Sequence, residues 1–322
     1  MSEIDDLQSE INHLAYTTFK QGCKGYSTER LKDFSIPLIP RITQEYLDNK
    51  NRLVILGQET STWYGKGWYE NEDKNDELYG LYKEFNLYDF INAKESEVER
   101  ICQVCRYDRH VHFICDTEDG ARKKGIWGYS KKICREVLGV HIKPPPKNSP
   151  KTKLKIDIPF CLLELFCIET VKYDENGWPS PKQEDQPSQN EDLAKEVIKM
   201  QGNLICQILE LIKPKAILAT TNYKNDGFLK QYALGDPAAK IIAVDKSGRF
   251  SIDEIAFMEI GQDALKGTKV IRTYHPNYFY GGKMPGRERK VIEKKKRAPY
   301  QELISKSLAD CLWPKSPATD SR

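Results

Sequence analysis

Leu53, Val54, Ile55 and Leu56 are apolar without alternation, and they run straight into Gly57, Gln58 and Glu59. A strand with one solvated face alternates apolar and polar side chains, so a continuous run of this length predicts a strand covered on both faces. Helices packed on either side of a largely parallel sheet supply such cover. Similar runs recur at residues 154–171, 216–220, 240–244 and 269–274, and helical patterns separate them, among them 192–212, which Lys213-Pro214 stops. The expectation is an α/β chain, a three-layer α/β/α arrangement around a central, mostly parallel sheet of four to five strands.

Before the first run, Ile4, Leu7, Ile11 and Leu14 fall at helical spacing. Residues 1–50 are therefore expected to form an N-terminal helical cap on an α/β domain spanning 51–322. Further helices are expected at 76–91, 124–138 and 288–311. Residues 141–153, rich in Pro and Lys, and the polar stretch 172–192 read as loops, and 245–250 reads as a hairpin turn.

The charge total says little, since 50 basic and 47 acidic residues leave a formal +3. Its distribution says more. Residues 121–155, an expected basic loop insertion, carry eleven Lys or Arg against Glu136 alone, and 283–297 carry eight against Glu288 and Glu293. Nine cysteines, no charged-then-apolar leader and no apolar run near the ~18 residues of a membrane span predict a soluble protein in the reducing cytoplasm, with no membrane contact. Cys102, Cys105, His110, His112 and Cys115 resemble a zinc ligand set in spacing. However, residues 110–115 alternate as a strand would, which places the two histidines on one face and Cys115 on the other. The expectation is no metal and no cofactor.

Ligands of open α/β sheets bind at the carboxyl ends of the strands, above all where the strand order reverses. Polar residues stand at every such end: Gln58 and Glu59 after the first run, Glu169 and Lys172 after the second, Thr221 and Asn222 after the third, His275, Pro276 and Asn277 after the last. Any one of them alone reads as a solvated loop residue. As a set they converge on one edge.

These residues, in this order, resemble the uracil-DNA glycosylase superfamily. "VILGQETS" (54–61) resembles its first motif, "YHPN" (274–277) its last, and "LELIKPKAILATT" (209–221) the helix, Lys-Pro turn and strand between them. The resemblance spans roughly 52–280. Glu59 stands where the family has Asp or Asn, Thr60 where it has Pro, and Asn277 where it has Ser. Glu169, or alternatively Glu164, stands where the family reads a pyrimidine with Asn.

The resemblance implies a monofunctional DNA glycosylase that flips a nucleotide and hydrolyses its N-glycosidic bond. Glu59 would favour the oxocarbenium-like sugar and orient water, and His275 would stabilise the departing base. Gln58, Trp63, Tyr64, Glu169 and Asn277 would bind the base, with Trp68 and Tyr69 as further stacking surfaces. Tyr278 or Phe279 would fill the vacated stack, while Lys172, Lys283, Arg287 and Arg289 hold the DNA phosphates. An ionised glutamate only accepts hydrogen bonds, which suits the amine of a cytosine-type base, such as a hydroxymethylated or glucosylated cytosine of viral DNA. The expected partner is single- or double-stranded DNA, with no obligate protein partner. Three alternatives stay open: a non-catalytic sensor of a modified base, a uracil-excising repair enzyme, and a small-molecule α/β enzyme, although neither usual phosphate-binding glycine motif is present.

Overall fold

A computed structural model describes residues 2–59, 86–94, 96–98, 101, 129–130, 132–140, 158–170, 185–245, 247–261, 265–274 and 294–313. Six strands form one mixed sheet: β1 (Leu53–Glu59), β2 (Phe160–Phe166), β3 (Ala216–Ala219), β4 (Lys240–Ala243), β5 (Ile255–Glu259) and β6 (Lys269–Thr273). Their spatial order is β2-β1-β3-β6-β5-β4. β2, β1, β3 and β6 run parallel, and β5 and β4 complete the sheet in antiparallel pairing. The α/β class holds. The expectation of four to five strands does not, because β5 adds a sixth, which runs antiparallel to both its neighbours, β6 and β4.

The strand expected at 240–244 is present but not buried. β4 is the outermost strand, and Ile242 on it is 45% exposed. A short apolar run reads the same whether it lies at the centre of a sheet or at its rim, since only the number of neighbours differs.

The central strands divide their side chains between two apolar clusters, as their lack of alternation requires. Val54 and Leu56 join Cys161, Leu163, Ile217 and Ala219 in the larger cluster. Leu53 and Ile55 join Phe160, Leu162, Leu218 and Ile271 in the smaller. Helices α1 (Glu3–Gly22), α5 (Glu191–Gln201) and α6 (Leu204–Ile212) cover the first. The C-terminal helix α7 (Lys294–Leu312) covers the second, through Tyr300, Ile304 and Leu308. The short helices α2 (Thr28–Lys32), α3 (Gln44–Asp48) and α4 (Leu87–Asn92) lie between α1 and these elements in the chain.

The single helix expected at 192–212 is two. Gly202, with φ +51°, separates α5 from α6, a backbone geometry that an L residue adopts only under strain. Helix α6 then ends on Lys213, also left-handed at φ 48°, before Pro214. The helix expected at 124–138 is present in its described part and closes in a π-helical turn, Cys134–Leu138, capped by left-handed Gly139. Helix α7 begins at Lys294 within the described residues, and 288–293 lie outside them.

The first fifty residues are more than an appendage. Ile11, Ala15 and Phe19 are fully buried in the larger cluster. The Gln8 side chain donates to Pro40 O at 3.0 Å and accepts from Ile42 N at 2.9 Å, which pins α1 to the connector. The Tyr46 hydroxyl of α3 donates to Ile212 O at 3.2 Å, at the end of α6. Among the described residues no helix is long and apolar enough to cross a membrane.

Candidate functional site at the carboxyl edge of the sheet

β1 and β3 pair in parallel as far as Leu56 and Ala219. Thr220 N still donates to Leu56 O at 2.7 Å. Asn222 N, two residues on, donates instead to Thr273 O of β6 at 3.2 Å. Meanwhile β1 continues beside β2 until Glu59 faces Phe166. The chain after β3 therefore leaves β1 for β6 at the level of Gln58 and Thr221. The point between β1 and β3 is also the topological switch point, because the connections leaving β1 and β2 run to opposite sides of β1, and it is at such points that α/β sheets bind ligands.

Gln58 is 7% exposed and Thr221 is fully buried. Neither the Gln58 carboxamide oxygen nor the Thr221 hydroxyl has a hydrogen-bond partner among the described residues. A buried polar atom left in this state costs about 1–3 kcal/mol. The turn that carries Thr221 is itself well fixed: Asn225 Nδ2 donates to Thr221 O at 2.8 Å, and the Asn222 side chain accepts from Lys224 N. Asn222 holds φ +68° without being glycine, the kind of backbone strain that collects at functional sites.

The opposite flank of β1 explains its glycine. Glu164 lies level with Gly57 in the β1–β2 register and is 3% exposed. A Cβ at position 57 would stand 2.0 Å from Glu164 Oε2. Gly57 thus leaves the space that the carboxylate occupies. Glu169 lies beyond the end of β2, where its backbone is held by the N-terminal segment: Glu169 N donates to Ser35 Oγ at 3.2 Å, and Ser35 N donates to Glu169 O at 2.9 Å. The two glutamates that could read a base therefore stand at different heights. Glu164 is beside the β1 terminus, and Glu169 is at the junction with residues 34–35. Glu59 ends β1 in backbone register with Phe166.

On the far side of the sheet β6 exits at Tyr274, whose N donates to Tyr300 Oη at 3.3 Å, while Tyr300 Oη donates to Glu254 O. Burial raises the Tyr274 phenol to about 12 and pushes Tyr300 up further, so both stay neutral. This contact places the beginning of α7 at the carboxyl edge. Its other end meets the amino edge, where Lys215 Nζ, just before β3, donates to Leu312 O at 2.9 Å. Helix α7 therefore runs antiparallel to the central strands. Its first described turn, Lys294, Lys295, Lys296 and Arg297, lies toward the same edge of the sheet and contains no acid.

No family model, curated protein or solved structure matches the chain.

Of the residues expected in the site, the structure sets Gln58 and Thr221 near each other at the ends of β1 and β3, ends β1 on the Glu59 backbone beside Phe166, and sets Glu169 apart. Trp63, Tyr64, Trp68, Tyr69, Lys172, His275, Asn277, Tyr278, Phe279, Lys283, Arg287 and Arg289 lie outside the described residues, as do Cys102, Cys105, His110, His112 and Cys115. Among the described residues no three His, Cys, Asp or Glu side chains cluster as metal ligands would. The described cysteines are free thiols. Burial raises the Cys134, Cys161 and Cys167 thiols far above neutrality, so they are protonated and inert.

Sequence reasoning missed the buried Arg272. Its Nη1 donates to Asp253 O at 2.5 Å, its Nη2 donates to Ile252 O at 2.7 Å, and its Nε stands 3.0 Å from Asp226 Oδ1. The signal was an arginine directly after apolar Val270 and Ile271 in the core strand "KVIRTY", where a buried charge survives only if paired.

Proposed function

We propose that this chain is a monofunctional DNA glycosylase acting on a modified cytosine, hydroxymethylated or glucosylated, in the cytoplasm. The observation that carries the reading is the assembly at one edge of the sheet. β1 carries Gln58 and Glu59 to the switch point at its carboxyl end, buried Glu164 lies level with Gly57 on the neighbouring strand, and the described part of α7 begins toward the same edge. In the reaction a water oxygen bonds to C1′ as the C1′–N bond breaks, and its electron pair leaves with the base. Glu59 orients that water and takes its proton, and His275 donates a hydrogen bond to the charge growing on the base. The α7 basic turn, with Lys283, Arg287 and Arg289 before it, holds phosphates near the extruded nucleotide.

Glu164 is the better reader of the base than Glu169. It is level with Gly57 and next to the residues that deliver the chemistry, whereas the Glu169 backbone is committed to Ser35. An ionised carboxylate only accepts hydrogen bonds and offers nothing to a uracil oxygen.

The test is a panel of single- and double-stranded DNAs carrying uracil, cytosine, hydroxymethylcytosine or glucosylated hydroxymethylcytosine, each incubated with the protein and then treated with alkali. Strand breaks are expected at a modified cytosine. Glu59→Ala and His275→Ala should each slow them by about 10²–10⁴-fold, the usual weight of a positioned acid or base. Breaks at the wild-type rate in Glu59→Ala would overturn the mechanism. Tight binding with no breaks at any base would make the protein a sensor of modified bases instead, and breaks at uracil alone would make it a uracil-excising repair enzyme.

A further inference from the structure

The switch point between β1 and β3 contains a feature that the roles of Glu59, His275 and Glu164 leave unused. Gln58 Oε1 at the end of β1 and Thr221 Oγ1 just past the end of β3 are buried and have no partner among the described residues. Continuing the parallel register past Leu56 and Ala219 sets these two positions level with each other. The two strands part there, because Asn222 has already turned to Thr273. Two orphaned polar atoms at level positions of neighbouring strands are explained together by one ligand group that satisfies both.

We infer that Gln58 and Thr221 form a two-point reader for an amino group, the exocyclic amine of the ligand's base. An amine has two hydrogens to donate. The Gln58 carboxamide oxygen accepts one, and the Thr221 hydroxyl, with two lone pairs, accepts the other. A carbonyl oxygen at the same place would leave Gln58 Oε1 facing another acceptor and desolvated, so a site of this kind rejects uracil more strongly than it prefers cytosine. The turn geometry supports the role. Thr221 O is bound by Asn225 and Asn222 is anchored to both Lys224 and β6, so the hydroxyl is carried on a fixed backbone.

This inference rests on the reading of the switch point as a base pocket, yet it can fail separately from catalysis. The experiment compares wild type with Thr221→Val and Gln58→Met, which keep the approximate shape and remove the polar atom. Binding is measured by fluorescence anisotropy on oligonucleotides carrying one unpaired cytosine, hydroxymethylcytosine or uracil. Their sugars are 2′-fluoroarabino, so hydrolysis does not intervene, and urea unfolding is recorded alongside. Each substitution is expected to reduce the preference for the amine-bearing base over uracil by roughly tenfold, the scale of one lost buried hydrogen bond. Each is also expected to leave stability equal or higher, because an unsatisfied buried group has been removed. A purely structural hydroxyl would show the opposite stability change.

Unchanged base preference in both variants would overturn the inference, and so would a clear loss of stability in Thr221→Val. If base preference shifts as expected while no abasic sites form on deoxyribose DNA carrying uracil or the modified cytosines, the reader stands and the glycosylase reading falls. If abasic sites form and both variants keep wild-type preference, the reverse holds.

Discussion

At the scale of single residues, the carboxyl edge is shaped by side chains that are absent as well as by those present. Gly57 is the clearest case, since a methyl group there would meet the Glu164 carboxylate. Gly57→Ala should cost about 1–3 kcal/mol, as overpacking of a filled interior does. Glu164→Ala in the same chain should recover most of that loss, and a double-mutant cycle of urea midpoints measures the coupling. Independent effects would mean that Glu164 can move away without penalty. Glycine at this position was legible in the sequence only as the end of a strand. The reason for it was not, because its partner lies more than a hundred residues away in a strand whose register the sequence does not state.

At the scale of elements, helix α1 is held against α5 by another close approach. A Cβ at Gly22 would stand 2.1 Å from Met200 O, a backbone atom that cannot rotate away. Gly22→Ala should therefore push the end of α1 off α5 and disturb the burial of Phe19. The expected loss is about 1–3 kcal/mol, read as a lower urea midpoint at unchanged m-value. An unchanged midpoint would show that the helix end shifts freely. Elements of this kind were well signalled where periodicity was strong, as in α1, and where the apolar run was continuous, as in β1 and β3. Boundaries failed where the pattern is silent about the backbone. Residues 192–212 keep an amphipathic pattern straight through Gly202, so the break that turns one helix into α5 and α6 shows only in its φ angle.

At the scale of the whole molecule, Arg272 joins three separate regions: the last parallel strand, the segment entering β5, and the turn after β3 through Asp226. Burial pushes the Asp226 carboxyl up to about 6, with Asp253 adding to the rise and Arg272 and Lys230 opposing it. The folded state therefore holds this proton more tightly than the unfolded chain, where an aspartate titrates near 4. Stability contributed by the group falls as pH rises from about 4 to about 6, and the loss is complete above that range. Asp226→Asn should remove this part of the pH slope in urea midpoints, and an identical slope in both proteins would assign it elsewhere. What the sequence determined by itself is local: apolar runs covered on both faces, helices between them, polar residues at the strand ends, and cations gathered near the C-terminus. These follow from composition and spacing, because a continuous apolar run has no stable alternative to burial. The strand order, the splay of β3 from β1, the exposure of β4, and the placing of Glu164 rather than Glu169 beside Gly57 were decided only by the tertiary structure. Each depends on which distant segment is the neighbour, and pairing energies nearly equal among apolar strands leave that choice to the packing of the entire chain.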